Sequence, residues 1–201
     1  MIKLISTFIT RYLEENNSSL IKTDLLKIQY TLEVILGDLT KLIILLLIFW
    51  NLNEVPFFLL SFAILISTRP LWGGIHCKSF NSCLIFSLVY FIVILLYSRF
   101  CPKLNINFYI VFFIISFIIT LAFAPCDNEK RPINNKTILK ILSLISLTFW
   151  GILFFKLSNL RICNCIFASI LLQIVQIIIV NVKKGGLFNA KIYKYFFSHT
   201  S

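Results

Sequence analysis

The densest chemistry in the chain lies between Thr68 and Cys83, in the run Thr-Arg-Pro-Leu-Trp-Gly-Gly-Ile-His-Cys-Lys-Ser-Phe-Asn-Ser-Cys. It holds His76, Cys77 and Cys83 beside Arg69 and the pair Gly73 and Gly74. A thiol attacks as its thiolate, so a nucleophilic Cys needs a base or a cation nearby, and His is the usual base at neutral pH. Cys77 adjoins His76, and adjacent side chains do not face one another on a helix. Cys83 shares a helical face with His76 but lies about 10.5 Å further along the axis, beyond a hydrogen bond of about 2.6–3.2 Å. The two meet only if the chain turns between them. Ser79, Asn81 and Ser82 are turn and N-cap residues that allow this, and they put Cys83 in the first turn of a helix, where a thiolate is favoured. Gly73 and Gly74 free the backbone to approach a substrate and to aim N–H groups at an oxyanion.

A bland reading stands beside this one, because His and Cys also occur in membrane-protein loops without any catalytic role. A metal is not expected. His76, Cys77 and Cys83 offer three ligands and no second cluster, since Cys163 and Cys165 would have to come from the far side. Cys101, Cys163 and Cys165 read as small apolar residues or free thiols, and His199 as a solvated tail residue.

The elements that must position these groups are membrane helices. Of 201 residues 59% are hydrophobic and 13% charged, with a mean hydropathy of +0.91. Soluble domains run about 45–50% apolar and about 25% charged. The apolar mass, with 21 Phe, excludes disorder. Six Cys, most of them inside apolar runs, do not make a disulfide-stapled mini-protein. The composition predicts an all-α polytopic membrane protein.

A hydrocarbon core needs about 20 helical residues. Ser82–Ser98, Ile106–Ala124, Ile138–Leu157 and Ile162–Val182 meet this or nearly do. Leu32–Trp50 carries Glu33, Asp38 and Lys41 in its first half, and Val55–Ser67 is short enough that it must extend into the next loop or sit in thinned bilayer. Six spans are favoured; four or five with an interfacial first pair are the alternative. With six, fifteen of the nineteen Lys and Arg fall on the side of the termini and the 69–81 connection, which puts that side in the cytoplasm of a cell-membrane protein. Ile2, Ile5, Phe8, Ile9, Tyr12 and Leu13 recur at helical spacing opposite Lys3, Ser6, Thr7, Thr10 and Arg11, predicting an amphipathic interfacial helix. The organisation is then a cytoplasmic-face segment over 1–30, a bundle over 31–182 with the reactive loop at 69–83, and a basic tail over 183–201. The net charge of +11 reads as topology and attraction to anionic lipid. No nucleic-acid partner is expected, because the aromatics lie in apolar runs rather than among Lys and Arg.

At Arg69, Gly73-Gly74-Ile75-His76 and Cys83 the sequence resembles the accessory gene regulator protein B (AgrB) family, membrane cysteine endopeptidases of Gram-positive quorum sensing. The segment Ala124-Pro125-Cys126 to Lys130-Arg131-Pro132-Ile133 is similar to the family's Ala-Pro…Lys-Pro stretch. Cys77 and Cys126 depart from the residues usual there. The resemblance covers nearly the whole chain and implies cleavage of an AgrD-like signal propeptide, with Cys83 as nucleophile and His76 as base and then acid. The peptide would remain as a thioester on Cys83 until its own Cys or Ser closes a thiolactone or lactone. Further implications are a homodimer, no cofactor, Glu33 as a candidate to orient His76, and Arg69 as a substrate contact. Lys130, Arg131 and Lys136 would hold the acidic tail. The rival reading is a non-catalytic small transporter or peptide-export partner, in which Gln173 and Gln176 would line a path.

Overall fold

The computed structural model describes residues 2–17, 21–75, 79–126 and 135–184. Among them are seven helices and no strand: α1 (Ile2–Asn16), α2 (Lys22–Asn51), α3 (Val55–Trp72), α4 (Phe80–Phe100), α5 (Ile106–Phe123), α6 (Lys136–Lys156) and α7 (Leu160–Lys184). His76, Cys77, Lys78, Lys130, Arg131 and His199 lie outside the described residues.

Local signals set the boundaries. Ser79 caps α4 through its hydroxyl, which accepts from the Ser82 N–H at 3.3 Å. Asn105 caps α5 and Asn159 caps α7 in the same manner, each accepting a backbone N–H at 3.0 Å. The short second stretch does extend: α3 runs on through Pro70 to Trp72, reaching 18 residues. α3 to α7 are each long and apolar enough to cross a membrane. The expected first span, Leu32–Trp50, falls within α2, a helix of 30 residues that reaches about 45 Å at 1.5 Å per residue. α2 is not among those five helices, so a sixth crossing is not established.

The packing follows membrane logic. Small and polar residues turn inward, among them Ser61, Thr68, Ser116, Thr120, Ser143 and Ser169, while Phe108, Ile114, Ile118 and Phe149 face outward. α7 is the central helix, with α3, α4, α5 and α6 around it. Phe49, Phe58 and Phe91 tie α2, α3 and α4 together, with ring centroids 4.9 Å apart for Phe49–Phe58 and for Phe58–Phe91. Gln173 is fully buried, and its amide reaches the Tyr90 hydroxyl at 3.4 Å, which spends it on an α4–α7 contact.

α1 packs on α2 by its polar face. Its small polar residues Ser6 and Thr10 are buried against α2, and Leu4, Phe8 and Tyr12 are left facing out. Polar pairs make this possible: Ser6 donates to Glu33 at 3.2 Å and Gln29 donates to Thr7 at 3.2 Å.

Between the helices the bundle has two ends. At the end remote from the 69–83 run, Glu54 is 9% exposed at its side chain, and Arg161 grips both of its oxygens at 2.9 and 2.8 Å. Arg99 approaches Glu54 at 3.7 Å, and Arg161 also lies over the Phe57 ring at 4.0 Å. Asn164 donates to the Cys101 carbonyl at 2.7 Å close by.

Candidate functional site

At the other end, three elements converge on the end of α3. The indole N–H of Trp72, a fully buried side chain, donates to the Ser143 carbonyl at 3.1 Å, and the Ser143 hydroxyl donates to the Leu71 carbonyl at 3.1 Å. The Cys126 N–H donates to the Trp72 carbonyl at 3.0 Å, which lays the segment after α5 across the end of α3. Asn181 of α7 closes the corner by donating to Cys126 Sγ at 3.2 Å.

Gly73 terminates α3 at φ +86° and ψ −172°, a conformation that is essentially glycine-only. Its reason is visible: a Cβ there would lie 2.8 Å from the Cβ of Cys126. The close approach served by this glycine is thus to Cys126, within the fold. At Gly74 a Cβ would meet Gln176 Oε1 at 3.1 Å. That oxygen is buried and has no hydrogen-bond partner among the described residues.

Arg69, in the last turn of α3, donates to the Ile75 carbonyl at 2.7 Å. It therefore braces the residue that immediately precedes His76. Cys83 lies in the first turn of α4, where its N–H donates to the Ser79 carbonyl at 3.1 Å as the helix begins. This is the placement that the turn residues Ser79 and Ser82 predict.

α2 passes beside that turn. A Cβ on Gly37 would meet Phe80 at 3.9 Å. One turn further along α2, Lys41 Nζ lies 3.5 Å from Cys83 Sγ and 2.5 Å from Asp38 Oδ1. Glu33, one turn in the other direction, accepts the Ser6 hydroxyl. Sequence spacing could not have singled out Lys41, because it is remote in the chain and reads as one more charge in the first half of a weak span. Among the described residues no three His, Cys, Asp or Glu side chains gather to hold a metal ion.

Beside Cys126 a cleft of about 580 Å³ is lined by Ala122, Phe123, Ala124, Pro125, Lys136, Thr137, Lys140 and Asn181. Two ammonium groups and an amide give it a basic character at the same end of the bundle as Cys83.

The family model described as Accessory gene regulator B matches residues 6–177. The chain belongs to the AgrB family. An AgrB-like protein of Clostridium beijerinckii is 62% identical over 201 residues, which is the full length of both chains. No solved structure matches the chain. The matched region of this AgrB family member runs from α1 into α7 and so includes every helix that builds the Cys83 corner. Membership ties this membrane protein to the accessory gene regulator system.

Proposed function

We propose that this AgrB family member is a membrane-embedded cysteine endopeptidase that removes the C-terminal tail of an AgrD-like signal propeptide and promotes cyclisation of the remainder. The observation that carries the reading is the setting of Cys83. It is a thiol in the first turn of a capped apolar helix, beside an ammonium group, with the 69–75 segment fastened by Arg69 and Cys126 at the same end of the bundle.

Cys83 attacks the scissile carbonyl. His76 takes the thiol proton and later delivers it to the departing amine. The peptide stays on Cys83 as a thioester until its own thiol or hydroxyl displaces that sulfur. Exchange between thioesters roughly conserves bond energy, so excluding water matters more than driving force. Glu33 orients His76 from α2, and Lys130, Arg131 and Lys136 hold the acidic tail, with Lys136 lining the basic cleft. This end of the bundle faces the cytoplasm, a reading supported by the excess of Lys and Arg on its side of the chain. The family resemblance is the support for a homodimer.

The test is incubation of the full chain, in phosphatidylcholine–phosphatidylglycerol vesicles, with an AgrD-like propeptide, with tail release read by mass spectrometry. Cys83→Ser and His76→Ala are expected to abolish release while the protein remains in the membrane, and Cys77→Ser to retain most of it. Release that depends on Cys77 and survives Cys83→Ser overturns the assignment.

A further inference from the structure

Lys41 is oriented against the usual habit of its side chain. A lysine near a membrane boundary ordinarily extends its ammonium to water and buries only its methylenes. Here the side chain is 16% exposed, whereas that of its partner Asp38 is 68% exposed. The Nζ points inward, to Cys83 Sγ at 3.5 Å, and stands 5.8 Å from the centroid of the Phe80 ring. Asp38 answers its charge at one donor position, which offsets the cost of withdrawing an ammonium from water. An ammonium has no acceptor capacity, so in its contact with Cys83 it donates. A neutral thiol sulfur is a weak acceptor, whereas an anionic sulfur is a strong one.

We infer that Lys41 is a catalytic residue of the Cys83 chemistry: its ammonium, braced by Asp38, stabilises negative charge on Sγ both when the thiol attacks and when the thioester is released. The inference rests on the endopeptidase reading above and adds to it a group from a different helix.

In the first step the Cys83 proton goes to the base, the Sγ electron pair forms the C–S bond, and the amide C–N bond breaks. The amine departs with that proton. In the second step the peptide's own thiol or hydroxyl gives its proton to the base, free again once the amine has left, and bonds to the acyl carbon. The C–S bond to Cys83 then breaks, and its electron pair returns to Sγ. Lys41 keeps its three protons throughout. Because the thiolate is attacking group in one step and leaving group in the next, a single cation serves both, and ring closure gains as much as cleavage.

The experiment compares wild type with Lys41→Arg, Lys41→Gln and Lys41→Met in the full chain in vesicles, using an AgrD-like propeptide and iodoacetamide as a neutral probe of Cys83. Loss of the cation is expected to slow Cys83 alkylation, tail release and ring closure each by about tenfold or more, in kcat rather than KM. Lys41→Arg keeps the charge and restores most of each rate. Lys41→Gln keeps a donor and all but one atom of the length, so it separates charge from packing even if Lys41→Met inserts poorly. The inference is overturned if Lys41→Gln alkylates and cleaves like wild type while Cys83→Ser is inactive. Tail release that survives Cys83→Ser brings down the endopeptidase reading instead, and the alkylation rates then still decide whether Lys41 acts on Cys83.

Discussion

Gly73 and Cys126 stand so close that a methyl group on the first would come within 2.8 Å of the Cβ of the second. The contact joins the end of α3 to the segment after α5, and the Cys126 N–H donating to the Trp72 carbonyl fixes its register. The start of the loop that leads to His76 is therefore set by packing between two remote parts of the chain.

Gly73→Ala is expected to lower stability by about 1–3 kcal/mol from the backbone conformation alone, with the contact to Cys126 adding to that. Cys126→Gly introduced together with it removes the steric part and leaves the backbone part, so rescue is partial. Thermal unfolding in detergent, with tail release measured on the same samples, checks both.

Arg69 holds the Ile75 carbonyl through a charge-assisted bond. Arg69→Met should free the residue before His76 and reduce kcat more than KM. A substitution at a pure substrate contact would raise KM instead. Steady-state kinetics over a range of propeptide concentrations separates the two.

Far from the thiol, Arg161→Met leaves the buried Glu54 carboxylate with Arg99, at 3.7 Å, as its remaining cation among the described residues. Breaking such a pair costs about 3–5 kcal/mol. Arg99→Met, at 3.7 Å and with a 60% exposed side chain, should cost no more than about 1 kcal/mol. A comparison of melting temperatures tests the contrast, and equal losses would mean that Arg161 is not the principal partner.

Changing Lys130, Arg131 and Lys136 together to Glu is expected to raise the apparent KM, and added salt to weaken wild-type turnover. Exposed ionic contacts contribute about 0.2–1 kcal/mol each, so single substitutions should be mild. Partial rescue by a propeptide with a basic tail shows direct pairing. Unchanged kinetics at normal membrane insertion leave these charges with topology alone.

How much of this was legible depends on the range of the interaction. The start of α4, the placement of Cys83 in its first turn and the extension of α3 to Trp72 follow from caps, turn residues and span length, all local in sequence. Neither the approach of Lys41 to Cys83 nor that of Cys126 to Gly73 has a local signature, because each arises from how helices remote in sequence pack. α1 shows the limit of periodicity. Its apolar stripe is plain in the sequence, but whether that stripe or the small polar face meets α2 depends on Glu33 and Gln29, which belong to another helix. Glu33 illustrates the same point, since it accepts the Ser6 hydroxyl of α1.

The ion-paired corner at Glu54 has a mechanical consequence for the opposite end. One end of the bundle is clamped by a buried carboxylate with an arginine on both oxygens. At the other end the bonds from Trp72 to Ser143, from Ser143 to Leu71 and from Cys126 to Trp72 are neutral and worth about 0.5–1.5 kcal/mol apiece. Local openings follow the weakest contacts, so helices pinned at one end splay at the other. That end opens for a few broken bonds, as a clothes peg opens at its jaws while the spring stays closed. Amide exchange should accordingly rise along α3 and α7 from the Glu54 clamp toward the opposite end.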